Sequence, residues 1–441
     1  MVGRELAETV NLELTRVAAG IIRMLYFIRE PFGTFRPDID VLFGRELLSR
    51  GHQIDFVMQA ERSTDVTGPR HWHGRTVWVG ATDTGDNFLH RLRRLSLGLF
   101  HDLRSMQHAR AERYDAVQVR DKFIAAVALA FVARRRGLKF FYWLSYPEAE
   151  SQLQRAREWT ARYPRMTFIR GVFTGWLLYR WILPRCDHAF VQSEQMRSDL
   201  TARGVDPRKL TPVPMGVAAA DVRASRRAAI PPDSSPRRTL LLAYLGTLNS
   251  QRRLEVLVEM LALLQRTGLA ARLLFIGAGD DPDDQPRLER RASELGVREC
   301  VEITGFLPRE AALARVADAD VCLSPFFPTP VLRSTSPTKL VEYLALGLPV
   351  VANDHPEQRR VLRESRAGVC VPWGARYFAR GVAWLALRGP EVRQHMGERG
   401  REWVRAHRTY GRIADDLERR YLELLSVPAG TARQPRSGTA C

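Results

Sequence analysis

The stretch SPTKLVEYLALGLPVVAND, from Ser336 to Asp354, decides the fold. Its spacing predicts a helix with Ser336 as N-cap and Pro337 at the first position, where the fixed φ of proline suits the turn. Gly347 stops that helix, and the apolar run Leu348–Ala352 follows as a short buried strand. Lys339 and Glu342 stand three apart, so they share one face near the helix start. The N–H groups of a helix N-terminus and a lysine hold phosphate, and a carboxylate accepts two vicinal hydroxyls. A ligand carrying both groups fits this face, which is the chemistry of a nucleotide-sugar site. A capped helix with a surface lysine and glutamate is also an ordinary start to an αβ unit, so the neighbouring sequence must decide.

Working outward, the same unit recurs. Strand runs at Leu240–Leu245, Arg272–Ile276, Val301–Thr304 and Val321–Leu323 alternate with helical patterns from Arg252, around Leu288–Leu295 and from Arg309. Toward the N-terminus, Met24–Ile28, Ile54–Met58, Thr76–Val79, Ala116–Val119, Phe140–Leu144, His188–Gln192 and Leu210–Val213 read as strands. A helix is expected over Ile39–Arg50. The chain is therefore expected to be α/β, with a Rossmann-like domain at 1–213, a linker at 214–238 and a second Rossmann-like domain at 239–409. A helix at 410–427 crosses back toward the first domain, and a disordered tail occupies 428–441. Two such domains facing a central cleft would present the carboxyl ends of both sheets to it, where open α/β sheets bind ligands.

Composition excludes several classes. At 441 residues the chain exceeds one compact core. The five cysteines (Cys186, Cys300, Cys322, Cys370, Cys441) are too scattered for a zinc cluster or a disulfide framework, and a reducing cytoplasm fits them. No apolar run reaches the roughly 18 residues of a membrane span, and Glu5, Glu8 and Glu13 are unlike a signal peptide. The net charge of +18 calls for an anionic partner. Its arginines are spread along the chain rather than gathered in one stripe, so nucleic acid is not the expected partner. In Met166–Arg185, aromatic and aliphatic residues alternate with Arg170, Arg180 and Arg185. Such a segment either packs in the N-terminal domain or lies in the headgroup plane of an anionic membrane.

The second half resembles the GT-B glycosyltransferases of the large retaining family 4. The resemblance is carried by Tyr244–Leu248 with Arg252 and Arg253, by LLFIGAGDD (Leu273–Asp281) and by VEITGFLPREAALARVADADVCLSP (Val301–Pro325). The opening stretch and Glu357–Pro372 complete it, over about 130 residues in order. The N-terminal half matches more loosely, through Arg45–His52, Asp187–Gln195 and Val213–Val217.

The resemblance implies transfer of a sugar from a nucleoside diphosphate donor to a glycan or lipid-linked acceptor hydroxyl, with retention. It implies no cofactor and no metal, and the cysteines together with the 166–185 segment make the cytoplasm, at the inner face of the plasma membrane, the expected location. It puts the donor at Gly33, Gly246, Thr247, Arg252, Gly277, Gly305, Phe306 and the run Ser334, Thr335, Ser336, Pro337, Thr338, Lys339, with Glu342 on the ribose. Arg252 and Lys339 would offset charge on the leaving diphosphate. The family's paired glutamates are eight apart; here Ser334 replaces the first, as in a subset with an SPTK motif. Its N-domain histidine is replaced by Ser145, which leaves Glu148 to orient or deprotonate the acceptor, or merely to start a helix. These departures keep open a non-catalytic GT-B scaffold in polysaccharide assembly, and a nucleotide-sugar epimerase of the same fold. Asp354 and His355, just past a strand end, are further cleft candidates.

Overall fold

The computed structural model describes residues 20–85, 87–222 and 239–426. The leader before Gly20, the expected linker beyond Val222 and the expected tail 428–441 lie outside them. The chain divides into two compact units, Met1–Pro214 with Ile413–Cys441, and Met215–Arg412.

The first unit is built on strands β1 (Arg23–Ile28), β2 (Gln53–Gln59), β3 (Gly68–Trp72), β4 (Arg75–Gly80), β5 (Ala116–Arg120), β6 (Lys139–Leu144), β7 (His188–Val191) and β8 (Leu210–Pro212). Their order is β3-β4-β2-β1-β5-β6-β7-β8, parallel except for the β3–β4 pair. Central strands such as Met24–Ile28 are fully buried, as expected of runs apolar on both faces. Helices α1 (Asp38–Leu47), α2 (Phe88–Ser105), α3 (Phe123–Arg135), α4 (Glu148–Arg157), α5 (Pro164–Leu177), α6 (Leu183–Arg185) and α7 (Glu194–Ala202) cover the sheet. The helix expected at Ile39–Arg50 is wound as a π-helix over most of its length, and a π-turn at Leu178–Ile182 joins α5 to α6.

The second unit has β9 (Leu240–Leu245), β10 (Ala271–Ile276), β11 (Val301–Ile303), β12 (Val321–Ser324), β13 (Val350–Asn353) and β14 (Gly368–Val371). They run parallel in the order β11-β10-β9-β12-β13-β14. Its helices are α8 (Glu255–Arg266), α9 (Asp284–Glu294), α10 (Arg309–Ala317), α11 (Pro330–Arg333), α12 (Thr338–Ala345), α13 (Pro356–Ser365), α14 (Ala375–Leu387) and α15 (Gly389–His407). Alternation along β9 feeds two cores, Leu242 and Tyr244 on one face and Ala243 on the other. The helix expected from Arg252 starts later: Ser250–Arg252 form a 3-10 turn, and α8 begins at Glu255.

The last helix, α16 (Tyr410–Ser426), starts in the second unit, and its residues from Ile413 onward belong to the first. There Tyr421 packs on Phe141 and Phe190 and donates to Gln118 Oε1 at 2.5 Å.

Each sheet has one place where the strand order reverses. In the first unit it lies between β1 and β5, and in the second between β9 and β12. At such a point the connections leave to opposite sides and open a crevice at the strand ends. The residues that follow these four strands are therefore the ones to inspect.

Candidate functional site

In the second unit, Gly246 ends β9 and α12 follows β12, which brings the two together at the reversal point. Lys339 lies over Gly246 so closely that a Cβ there would overlap its Cε and Nζ. Gly246 also has φ +145°, a conformation open to glycine. Gly277, ending β10, backs onto Gly246; a Cβ on it would overlap the Gly246 carbonyl oxygen. Gly277 in turn bridges to Gly305 beyond β11. Three neighbouring strands thus end in glycines, making a shelf of bare backbone below an ammonium group. Phe306, beside Gly305, is 82 % exposed.

The charges on this shelf are unbalanced. Among the described residues, no hydrogen bond or ion pair is made by Lys339 Nζ. Burial and the nearby Arg252 guanidinium push its pKa from 10.5 down to about 8, against the pull of Glu342. Arg252 Nε is buried without a hydrogen-bond partner. The guanidinium faces the Tyr244 hydroxyl, which itself donates to the Thr247 carbonyl at 3.1 Å. Two cations held together out of bulk water, with no anion between them, form a site prepared for one.

Glu342 is buried and meets Arg309, whose Nη1 lies 2.6 Å from Oε1. The other arm of Arg309 reaches Asp221 at 2.7 Å. The arrangement holds one Glu342 oxygen and leaves Oε2 to accept from a ligand. Arg309 was not among the expected site residues. It lies 33 positions from Glu342 and on another helix, so no spacing rule exposes it.

Several expectations need correction. Ser336 does not cap the helix: its Oγ accepts the Met215 N–H at 3.0 Å. The helix begins at Thr338, with Pro337 just outside it and making no side-chain cap. The Thr335 hydroxyl donates to the Leu332 carbonyl at 2.7 Å, and Ser334 Oγ lies 3.5 Å from the Pro330 carbonyl. These buried hydroxyls hold the turn ahead of α12. His355 is buried too; it caps α13 through the Glu357 N–H and binds the Leu332 carbonyl at 2.8 Å. Asp354 pairs with Arg359. His355 therefore acts in the framework, while Asp354 is exposed. Glu357 forms a buried ion pair with Arg408, which also donates to the Met215 carbonyl at 3.3 Å.

In the first unit, the reversal point gathers Arg29 and Glu30 after β1, and Arg120 with Asp121 at the end of β5. Glu148, the first residue of α4, lies 3.3 Å from Arg29 and accepts from Gln152 at 2.7 Å. Burial raises its pKa, but Arg29, Gln152 and Arg170 outweigh that and hold it below the usual range. It stays ionised at neutral pH, which suits orienting a hydroxyl better than taking a proton from it. Asp121 was overlooked. It is buried at φ +51° and accepts from both the N–H and the hydroxyl of Ser145. Burial raises its pKa to about 6, nearer to that of a working base. Below it Arg120 is buried between Glu30 (3.0 Å) and Asp38 (2.5 Å). Gly33, in the loop after β1, is exposed with φ +101°.

Residues 239–387 match the family model described as glycosyl transferases group 1, and residues 42–216 match a glycosyl transferase 4-like domain. Alpha-D-kanosaminyltransferase of Streptomyces kanamyceticus is 26 % identical over 42 % of this chain and 46 % of its own length. The putative colanic acid biosynthesis glycosyltransferase WcaL of Salmonella typhimurium is 27 % identical over 44 % of this chain and 46 % of its own. The chain thus spans about half the length of the curated relatives it matches. The sucrose-phosphate synthase structure from Thermosynechococcus elongatus superposes with a TM-score of 0.66 at 18 % identity, covering 91 % of this chain and 99 % of that one. Anabaena HepE, solved with UDP, gives 0.62 at 12 % identity, over 91 % of this chain and 100 % of its own. With both domains matched by their models and the two-unit α/β architecture shared, this chain carries a glycosyl transferases group 1 domain and a glycosyl transferase 4-like domain, and has the GT-B fold.

Proposed function

We propose that this protein transfers a glycosyl group from a nucleoside diphosphate sugar to a hydroxyl of a glycan or lipid-linked acceptor, with retention of configuration and without a metal. The observation that carries the reading is the unpaired Lys339–Arg252 couple over the shelf of Gly246 and Gly277. The bond from the anomeric carbon to the phosphate oxygen breaks, and the diphosphate leaves with the electron pair. Lys339 and Arg252 meet the growing charge and the N–H groups of Thr338 and Lys339 help to offset it, while the acceptor oxygen forms the new bond and its proton passes to the departing phosphate oxygen. Glu342 Oε2 takes a ribose hydroxyl, and the backbone beside Gly305 and Phe306 meets the base. On the acceptor side Glu148 orients the hydroxyl. Contact of residues 166–185 with an anionic membrane belongs to the same reading. A relative in colanic acid biosynthesis and the UDP held by HepE support the substrate classes.

A thermal-shift screen of nucleoside diphosphates tests it, since a bound donor stabilises the fold by mass action. One of UDP, GDP or ADP is expected to raise Tm by several degrees in the wild type. Glu342→Ala is expected to weaken that ligand about tenfold or more, at the cost of a charge-assisted hydrogen bond. Wild-type affinity in Glu342→Ala, or no shift with any nucleotide, refutes the assignment.

The pKa of Lys339 adds a second test. A diphosphate favours the charged lysine, so binding near pH 8 is expected to take up a proton. Affinity then falls as pH rises above about 8. Calorimetry in buffers of different ionisation enthalpy reads this uptake directly. Proton release, or none, places the diphosphate elsewhere.

A further inference from the structure

Exposed apolar side chains are concentrated on three helices of the first unit. On α2, Phe88, Leu89, Leu92, Leu95, Phe100 and Leu103 are all exposed, Leu89 by 71 %. At 3.6 residues per turn they form one stripe about 140° wide. On α5, Ile169, Val172, Phe173 and Trp176 are exposed, while Gly171, Thr174 and Leu177 face inward. Between these helices lies α3, in contact with both, and it exposes Ile124 and Phe131. Two of them, α3 and α5, also share a core beneath them, through Ala126, Leu129 and Leu177. These apolar faces are therefore neighbours on one side of the unit.

Their charges are of one sign. Arg91, Arg93 and Arg104 are exposed on α2, and Arg165 and Arg170 on α5. No acidic residue occurs between Glu158 and Asp187, nor in α3. The single carboxylate of α2, Asp102, is buried and paired with Lys122 at 2.6 Å. Phe173, Trp176 and Trp181 form a row with ring centroids 6.2 and 6.0 Å apart, and Arg185 lies 4.2 Å over Trp181. Arg135 covers Phe131 in the same way. Aromatic rings and arginines at one level, with aliphatic chains beside them, match the boundary between headgroups and acyl chains.

We infer that α2, α3 and α5 together form one platform that docks the first unit on an anionic lipid bilayer. The inference rests on the membrane contact read above for residues 166–185 and extends it to two helices outside that segment. Leu89 and Leu92 enter the acyl boundary together with Ile169 and Trp176, and the arginines meet lipid phosphates. Binding needs both helices because a single short apolar stripe gives only marginal partition. It holds whichever sugar is transferred.

The test is co-sedimentation of the full chain with vesicles of phosphatidylcholine alone or mixed with phosphatidylglycerol. Wild type is expected to pellet with the mixed vesicles only, and to be released by raised salt. The pairs Leu92→Ser with Leu95→Ser on α2, and Ile169→Ser with Trp176→Ser on α5, are each expected to weaken pelleting about tenfold or more. Each should keep the wild-type far-ultraviolet circular dichroism and melting temperature, which certify that the first unit, where the substitutions lie, still folds. Loss in the α5 pair alone leaves the earlier membrane reading standing and overturns the platform. Loss in neither pair, or no pelleting of wild type, overturns both. If the α2 pair turns a wild-type oligomer into a monomer without changing pelleting, the face binds protein and the inference fails.

Discussion

Lys339→Met is expected to lower turnover about 10²–10³-fold while making the ligand-free protein more stable. The two effects come from one feature. The ammonium is buried beside Arg252 and Glu342 offsets this only in part, so its folded pKa is pushed from 10.5 down to about 8. That depression corresponds to a penalty on the order of 3 kcal/mol for the charged folded form. The sign is that of a base that loses its proton more easily when folded. The penalty is fully present below about pH 8 and is relieved as pH rises toward 10.5, so wild-type stability increases through that window. Methionine keeps the packing over Gly246 and removes the charge. Tm measured from pH 7 to 10 should therefore rise for the variant at the low end and converge with wild type at the high end. A variant less stable than wild type at pH 7, with turnover intact, contradicts both halves of the expectation.

Gly246→Ala should be nearly as damaging to the donor site, for steric reasons. The new methyl would occupy the place of Lys339 Cε and Nζ, and alanine pays a further 1–3 kcal/mol, roughly, at φ +145°. Lys339 must move off the shelf, and Gly246 must move against Gly277. We expect nucleotide affinity to fall about a hundredfold, with loss of the proton uptake near pH 8 that marks the lysine. Far-ultraviolet circular dichroism should remain that of the wild type, because β9 up to Leu245 is untouched. Unchanged affinity in this variant places the phosphate away from Gly246.

Most of the strands were legible because buried parallel strands are continuous apolar runs; Phe140–Leu144 and Leu240–Leu245 stand out on that ground alone. The strand Gly68–Trp72 was missed because GPRHW has a proline, two basic or polar residues and no alternation. It lies at the sheet edge on an antiparallel hairpin, where such residues are tolerated. The local chemistry of the candidate site was legible in part. Lys339, Glu342 and the glycines were marked by spacing and punctuation, and Arg252 followed from the family pattern. What spacing could not show is who uses each group. Ser336 looks like a cap, yet it spends its oxygen on a peptide 121 positions away. Arg309 holds Glu342 from another helix, and Asp121 becomes notable only once its burial and its left-handed backbone are seen. These are tertiary facts, set by which strand ends lie side by side.

Where the chain enters the second unit, it is fastened to the place where it leaves. The Val217 N–H binds the Arg408 carbonyl at 2.9 Å, the Tyr410 N–H returns to the Val217 carbonyl at 2.9 Å, and Arg408 grips the Met215 carbonyl. Residues 215–412 are therefore a cassette, spliced into the remainder of the sequence through two adjacent strands of backbone. A segment whose ends already meet costs little chain entropy to insert. Recombination could therefore exchange such a cassette whole, through a single pair of neighbouring junctions.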